Sequence, residues 1–142
     1  MSSDGDAWHV CWLTMRPTAD DAAKVGPGRI LSQFPGLRVL AFKDELHDYM
    51  SQISPACAFV PETFCLPRDS AIAKDRLASA SGDMFLFKPS STSGGSRICF
   101  VNSVESLCEL LRKERGRPCV LQRYIPSPYL IAGVKFDLRM YA

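Results

Sequence analysis

What this sequence is short of narrows the reading first. It has six cysteines (Cys11, Cys57, Cys65, Cys99, Cys108 and Cys119) but no CxxC pair, and none stands at ligand-like spacing from its two histidines, His9 and His47. Most of the cysteines sit in apolar runs. They are expected as reduced, buried thiols rather than as a disulfide framework or a zinc site. No apolar run approaches the roughly 20 residues needed to cross a bilayer. The N-terminal Met1-Ser2-Ser3-Asp4-Gly5-Asp6 is small and acidic, unlike a secretory signal, so cytosol is the expected compartment. A net charge of +2 is too small to argue for wholesale binding of nucleic acid or of an anionic membrane. The phosphate-binding pattern GxxxxGK followed by Ser or Thr is missing. So is any serine or cysteine with an evident base partner, and no pair of carboxylates stands out for metal or acid/base work.

What is there fits 142 residues of one domain, or of one domain and part of another. Residues 1–7 are expected to be disordered, and residues 8–15 read as a short aromatic and β-branched strand. Residues 16–28 carry Pro17, Gly26, Pro27 and Gly28 and read as loop, with one helical turn over residues 19–24. Residues 30–37 form a turn-bearing connection. Leu46, Tyr49, Met50 and Ile53 fall at helical spacing and predict a helix over Lys43 to Ile53. Residues 57–67 are extended, but Pro61 and Pro67 demote them to an edge strand or irregular segment. Residues 69–80 read as a second helix, capped by Asp69 or Ser70.

The later part is more regular. Met84-Phe85-Leu86-Phe87 is continuously apolar, as a strand covered on both faces would be. A Ser/Thr/Gly loop over residues 90–96 leads to a returning strand over residues 97–101. Asn102 with Glu105 predicts a capped helix whose buried stripe is Val104, Leu107, Cys108 and Leu111, ended by Gly116 and Pro118. Cys119-Val120-Leu121 is a further apolar strand. From Val134 the chain alternates, with Val134, Phe136, Leu138 and Met140 on one face and Lys135, Asp137, Arg139 and Tyr141 on the other. The order predicts an α/β or α+β domain, helices on one face of an antiparallel-rich sheet.

Three stretches could carry chemistry. Lys88, on the strand leading into the loop of Gly94 and Gly95, could reach phosphates while small residues let backbone N–H groups approach. Taken alone, a serine- and glycine-rich hairpin tip is more often only a turn. Gln122, Arg123, Tyr124 and Ile125 leave an apolar strand for a proline-bearing turn, and could either hinge over an adenine or be a plain strand end. Lys135, Asp137 and Arg139 could be a solvated, aggregation-resistant edge or one wall of a cleft. Their succession along one chain favours the cleft.

At these residues the chain resembles the tubulin–tyrosine ligase-like family of ATP-grasp amino-acid ligases, and within it the polyglutamylase branch. The matches span about residues 8–142. They are Trp12; Phe34-Pro35-Gly36; Lys43-Asp44 with Leu46; Val60-Pro61 with Thr63 and Leu66-Pro67; Lys88-Pro89; and Gly95 with Ile98. Beyond these come Gln122 with Tyr124-Ile125; Pro128 with Leu130-Ile131; Gly133; and Lys135-Phe136-Asp137-Leu138-Arg139 with Tyr141. The resemblance implies an ATP-grasp-like fold, with an N-terminal ligase-like subdomain over residues 8–68 and a central and partial C-terminal ATP-grasp region over residues 69–142. It implies ATP and Mg²⁺ as cofactors, and tubulin tails and glutamate as substrates joined through an acyl phosphate. Lys88, Gly94, Gly95, Gln122, Arg123, Tyr124, Ile125, Lys135 and Asp137 would contact the nucleotide, while Lys135 and Arg139 would act at the reacting centre. A monomer without nucleic-acid or membrane partners is expected, in the cytoplasm, on microtubules or at a cilium or flagellum base.

Two departures from the family pattern stand out. Gly95-Ser96-Arg97 replaces the usual glycine–arginine–glycine turn, so the phosphate-side arginine is either displaced by one position or absent. The family's Mg²⁺ ligands are expected downstream of Ala142, so the chain is expected to be truncated before the metal-binding part and inactive alone. The rival expectations are a non-catalytic nucleotide- or tubulin-binding module, and an ATP-grasp ligase with a non-tubulin acceptor.

Overall fold

The computed structural model describes residues 9–13, 17–53, 59–79 and 82–138. Along them run β1 (Val10–Cys11), α1 (Ala19–Ala23), β2 (Ile30–Leu31), α2 (Arg38–Ala41), α3 (Lys43–Ile53), β3 (Thr63–Leu66), α4 (Ser70–Ser79), β4 (Phe85–Pro89), β5 (Cys99–Val101), α5 (Val104–Glu114), β6 (Cys119–Arg123), β7 (Leu130–Ile131) and β8 (Val134–Lys135). Helix and strand are mixed, as the sequence pattern implies, but the helices lie on both faces of the main sheet rather than on one, since α3 packs opposite α4 and α5. The expectations for residues 1–7, for the ends of the first strand, for Cys57 and for residues 139–142 (Arg139 among them) lie outside the described residues.

The core is built on a four-stranded antiparallel sheet in the order β3-β6-β4-β5. The register sets Phe64 opposite Leu121 and Leu66 opposite Cys119, and sets Phe87 opposite Leu121 and Cys99. Alternation therefore gathers these side chains on one face. There Phe64, Leu66, Phe85, Phe87, Val101, Cys119 and Leu121 pack against Ala73 and Leu77 of α4 and Leu107 of α5. These two helices lie on this face because each offers it an apolar stripe: Val104, Leu110 and Leu111 flank Leu107. Helix α5 begins at Ser103, whose hydroxyl accepts from Ser106 N–H, and ends at Arg115 in the left-handed conformation (φ 53°) before Gly116 (φ 78°). The opposite sheet face carries Thr63, Cys65, Leu86, Lys88, Phe100, Val120 and Gln122. Helix α3 meets this face beside Cys65, whose thiol lies 3.9 Å from the Asp44 carbonyl and from an Asp48 carboxylate oxygen.

Several expectations hold, that for α3 at its stated bounds. Helix α3 spans Lys43–Ile53, and the turn at residues 19–24 is α1, closed by a capping box in which Thr18 and Asp21 exchange side-chain-to-backbone bonds. Segment 57–67 contributes β3, which is indeed an edge strand. Others need correction. The connection over residues 30–37 contains β2, which pairs in parallel with β1, and α2 follows it. The cap of α5 is Ser103 rather than Asn102, since the Ser103 side chain is the one that reaches the N3 amide. The strand at Phe85 is not covered on both faces: Phe85 and Phe87 are buried, while Leu86 and Lys88 are only half-buried. Among the described residues of the alternating stretch from Val134, ladder pairing is kept at Val134–Lys135, in a hairpin with β7. Its apolar members stay open to solvent, at 66% for Val134, 37% for Phe136 and 78% for Leu138.

Three substitutions check this assignment. Leu107→Ala should lower the unfolding free energy by about 2–5 kcal/mol in denaturant titrations, because it empties a fully buried position. Ser103→Ala should cost about 1 kcal/mol and Asn102→Ala markedly less; the reverse order would return the cap to Asn102.

Candidate functional site

The sheet face opposite α4 and α5 is covered by α3 at the buried Cys65 and Val120 and open elsewhere, and this open part holds a run of polar contacts. Lys88 leaves β4 on this face, diagonal to Gln122 of β6, and its ammonium donates to Gln122 Oε1 at 2.6 Å. Gln122 Nε2 donates in turn to Thr63 Oγ1 of β3 at 2.9 Å, and that hydroxyl donates to the Pro61 carbonyl at 2.7 Å. Burial pushes the Lys88 amine below its usual range, and the nearby charges of Lys43 and Lys135 push it the same way. Three lysines from β4, β8 and the start of α3 thus load one region with positive charge, the setting in which an anion is favoured.

Lys43 also shapes the loop that follows Lys88. Its ammonium donates to the carbonyls of Pro89 (3.1 Å), Ser90 (3.3 Å) and Thr92 (2.7 Å). Ser90 is buried, donates its hydroxyl proton to the Asp44 carboxylate and accepts from Asp44 N–H, while its own N–H reaches the Pro118 carbonyl at 2.9 Å. The loop base is therefore pinned to α3. Its tip carries Gly94 and Gly95 at positive φ (65° and 69°), a conformation only glycine adopts cheaply. Open space surrounds both glycines. Beyond them Arg97, also at positive φ (64°), pairs with the buried Glu114 carboxylate, which Arg117 approaches at 3.2 Å on its other oxygen. Arg97 is thus turned toward the end of α5 as the structural partner of a buried carboxylate.

At the end of β6, Arg123 N–H donates to the Glu62 carbonyl and Tyr124 N–H to the Met84 carbonyl, each at 2.8 Å. The Arg123 guanidinium reaches Asp83 at 3.2 Å, and the Tyr124 ring meets Phe100 edge-on at 5.5 Å. Ile125 is exposed. Residues 59–62 and 123–126 line an open pocket of about 360 Å³. Lys135 sits on the β7–β8 hairpin and Asp137 just beyond it, both exposed; Arg139 lies outside the described residues. Of the residues singled out in the sequence, Lys88 and Gln122 are in direct contact. Lys135 joins them through its field, Arg123 to Ile125 form a neighbouring edge, and Gly94 and Gly95 form the loop tip.

Sequence reasoning gave no role to Lys43 or Thr63. Lys43 opens a helix and carried no local sign of its loop contacts. Thr63 alternates with Phe64 and so must face away from the core, but its partner lies 59 residues away in sequence.

A second cluster forms where α3 meets β3. Donor atoms of His47, Asp48 and Cys65 lie within 4.8 Å of one another. Both Asp48 oxygens are already engaged by the Arg68 guanidinium, at 2.8 and 2.9 Å. Burial, helped by the Asp48 charge, pushes the Cys65 thiol up to about 11, so the thiolate a metal requires is disfavoured. This is an ion-pair junction. A thiol and an imidazole are also poor ligands for Mg²⁺, which takes oxygens. Among the described residues no group of three possible metal ligands forms at the lysine-rich face, so the residues there do not fit Mg²⁺.

Lys88 should lose its proton at lower pH than exposed lysines, with Lys43→Met or Lys135→Met each raising that midpoint by removing a neighbouring cation. The pH dependence of acylation at Lys88, followed by mass spectrometry, measures this; a midpoint near 10.4 that neither variant moves would contradict it.

Comparison with known proteins gives a consistent result. Residues 23–142 match the model of the tubulin-tyrosine ligase family. The chain is 30% identical over 146 residues to "Tubulin monoglutamylase TTLL4" of Mus musculus, covering 99% of this chain and 12% of that protein. It is 27% identical over 144 residues to "Tubulin polyglutamylase TTLL6" of Mus musculus, covering 99% and 17% respectively. With "Tubulin polyglutamylase ttll-5" of Caenorhabditis elegans it shares 27% identity over 157 residues, covering 99% and 20%. The chain thus spans a fifth or less of the length of these relatives.

Proposed function

The chain belongs to the tubulin-tyrosine ligase family, and from that premise we propose that its open sheet face is the phosphate-facing wall of the ATP site of a tubulin-glutamylating ligase. The observation that carries this reading is the half-buried Lys88 on this face, within electrostatic reach of Lys43 and Lys135 and next to a glycine loop whose base is pinned and whose tip is open. The names of relatives, a monoglutamylase and polyglutamylases of tubulin, support glutamate as donor and tubulin as acceptor.

The reaction has two steps. An acceptor carboxylate attacks the γ-phosphorus of ATP, the bond to the β-phosphate oxygen breaks, and an acyl phosphate and ADP form. The amine of glutamate then attacks the acyl carbon, phosphate departs with the electrons of the C–O bond, a proton leaves the nitrogen, and an amide remains. In this chemistry the protein mainly positions the reactants and neutralises charge. Lys88 would neutralise phosphate oxygens, with Lys135 adding positive field from the hairpin. Lys43 would act through the loop, holding its carbonyls back so that the N–H groups at Gly94 and Gly95 face the ligand. Arg123 to Ile125 would border the base, and Asp137 and Arg139 would complete the charged wall. This reading places the protein on microtubules in the cytoplasm; no described helix is long and apolar enough to cross a membrane.

The test is ATP affinity by a fluorescent nucleotide analogue displaced with ATP. Lys88→Met should weaken binding by about 10-fold or more, the loss of one charge-assisted contact worth roughly 1.5–3 kcal/mol. Equal affinity of a folded Lys88→Met and the unsubstituted chain would overturn the reading.

A further inference from the structure

We propose that Thr63 is a positioning residue for Lys88: acting through Gln122, it fixes where the lysine presents its charge on the open sheet face. The effect on nucleotide binding rests on the ATP reading above; the geometry does not.

The sheet order makes the relay possible. β6 lies between β3 and β4, so Gln122 stands opposite Thr63 on one side and opposite Leu86 on the other, with Lys88 on the adjacent diagonal. All three polar side chains share a face, within reach of one another. The direction of every bond follows from donor chemistry. An ammonium has only donors, so the Gln122 amide must turn its oxygen to Lys88. Its nitrogen then faces Thr63 and needs an acceptor there. The Thr63 hydroxyl accepts that bond and sends its own proton to the Pro61 carbonyl. The bonds run one way, at 2.6, 2.9 and 2.7 Å, and in such a chain each strengthens the next.

Thr63 thereby decides which way the amide points. Without an acceptor at this position the amide can rotate, and a flipped amide would aim N–H groups at an ammonium. Lys88 would lose the acceptor that Gln122 offers and the place that this bond gives it. Thr63 itself sits at an edge strand and is half-buried, so an isosteric change there leaves the core intact.

Thr63→Val keeps the shape and removes the hydroxyl; Thr63→Ser keeps the hydroxyl. Two quantities are read on each, with melting curves to show both are folded: the acylation rate of Lys88 by mass spectrometry, and ATP affinity. Thr63→Val should raise Lys88 acylation several-fold and weaken ATP binding by about 5-fold, the worth of one hydrogen bond near 1 kcal/mol. Thr63→Ser should match the unsubstituted chain within twofold on both. Gln122→Met, which removes the middle of the relay, should reproduce the Thr63→Val change. Unchanged Lys88 acylation in both folded Thr63→Val and Gln122→Met would overturn the inference. If acylation rises as expected while even the unsubstituted chain binds no ATP, the relay stands and the nucleotide reading falls.

Discussion

Strand β6 pairs with β3 on one side and with β4 on the other, and every side chain it carries is committed to a face by that double pairing. Cys119 and Leu121 go to the helical side and enter the core; Val120 and Gln122 go to the other side. A shift of one residue in register would exchange the two sets, burying an amide among Phe64, Phe87 and Leu107 and exposing the core leucine. The same constraint sets β4, where Phe85 and Phe87 go inward and Lys88 outward. Hydrophobic burial on one face thus locks a polar arrangement on the other. The lysine is held on a strand whose position the core fixes, and a rigid scaffold of this kind suits a group that must meet a phosphate at a defined place.

The lysine-rich face is costly to maintain without an anion. Lys88 is half-buried and repelled by two neighbours, and burial is the larger of the two effects. Lys43 reduces its own cost by donating to three loop carbonyls, and Gln122 gives Lys88 a neutral acceptor instead of a carboxylate. A carboxylate partner would neutralise the ammonium and compete with a phosphate; an amide orients it and leaves its charge available. Glu114 shows the contrast. It is buried and pairs with the cation of Arg97, with Arg117 3.2 Å from its other oxygen.

Much of this was legible in the sequence, and the limits have physical causes. Helices α3 and α5 have periods long enough to read, and the apolar runs at Phe85 and Cys119 marked the two central strands. The two-residue strands β1 and β2 and the short helix α2 rest on tertiary pairing, which no local pattern records. Asn102 and Ser103 are both good caps, so one-residue ambiguity was intrinsic. Leu86 made β4 look covered on both faces because apolar residues are common on half-open ones. Lys88 and Gln122 were visible as candidates, but their contact depends on strand order, and so does the role of Thr63. The one-residue displacement at Arg97 was visible too; that it ends on Glu114 follows from a positive φ the sequence did not announce.

The central claim is that an anion seats against Lys88 and its loop on the open sheet face. It is tested most directly by NMR of the isotope-labelled chain titrated with ATP, following the Gln122 side-chain amide, the lysine side-chain signals and the backbone amides of the loop. The expected result is saturable shifts at Lys88, Gln122, Gly94 and Gly95, with Lys43 and Lys135 following. Shifts confined to His47 and Cys65, or no saturable shift at any of these groups, would contradict it.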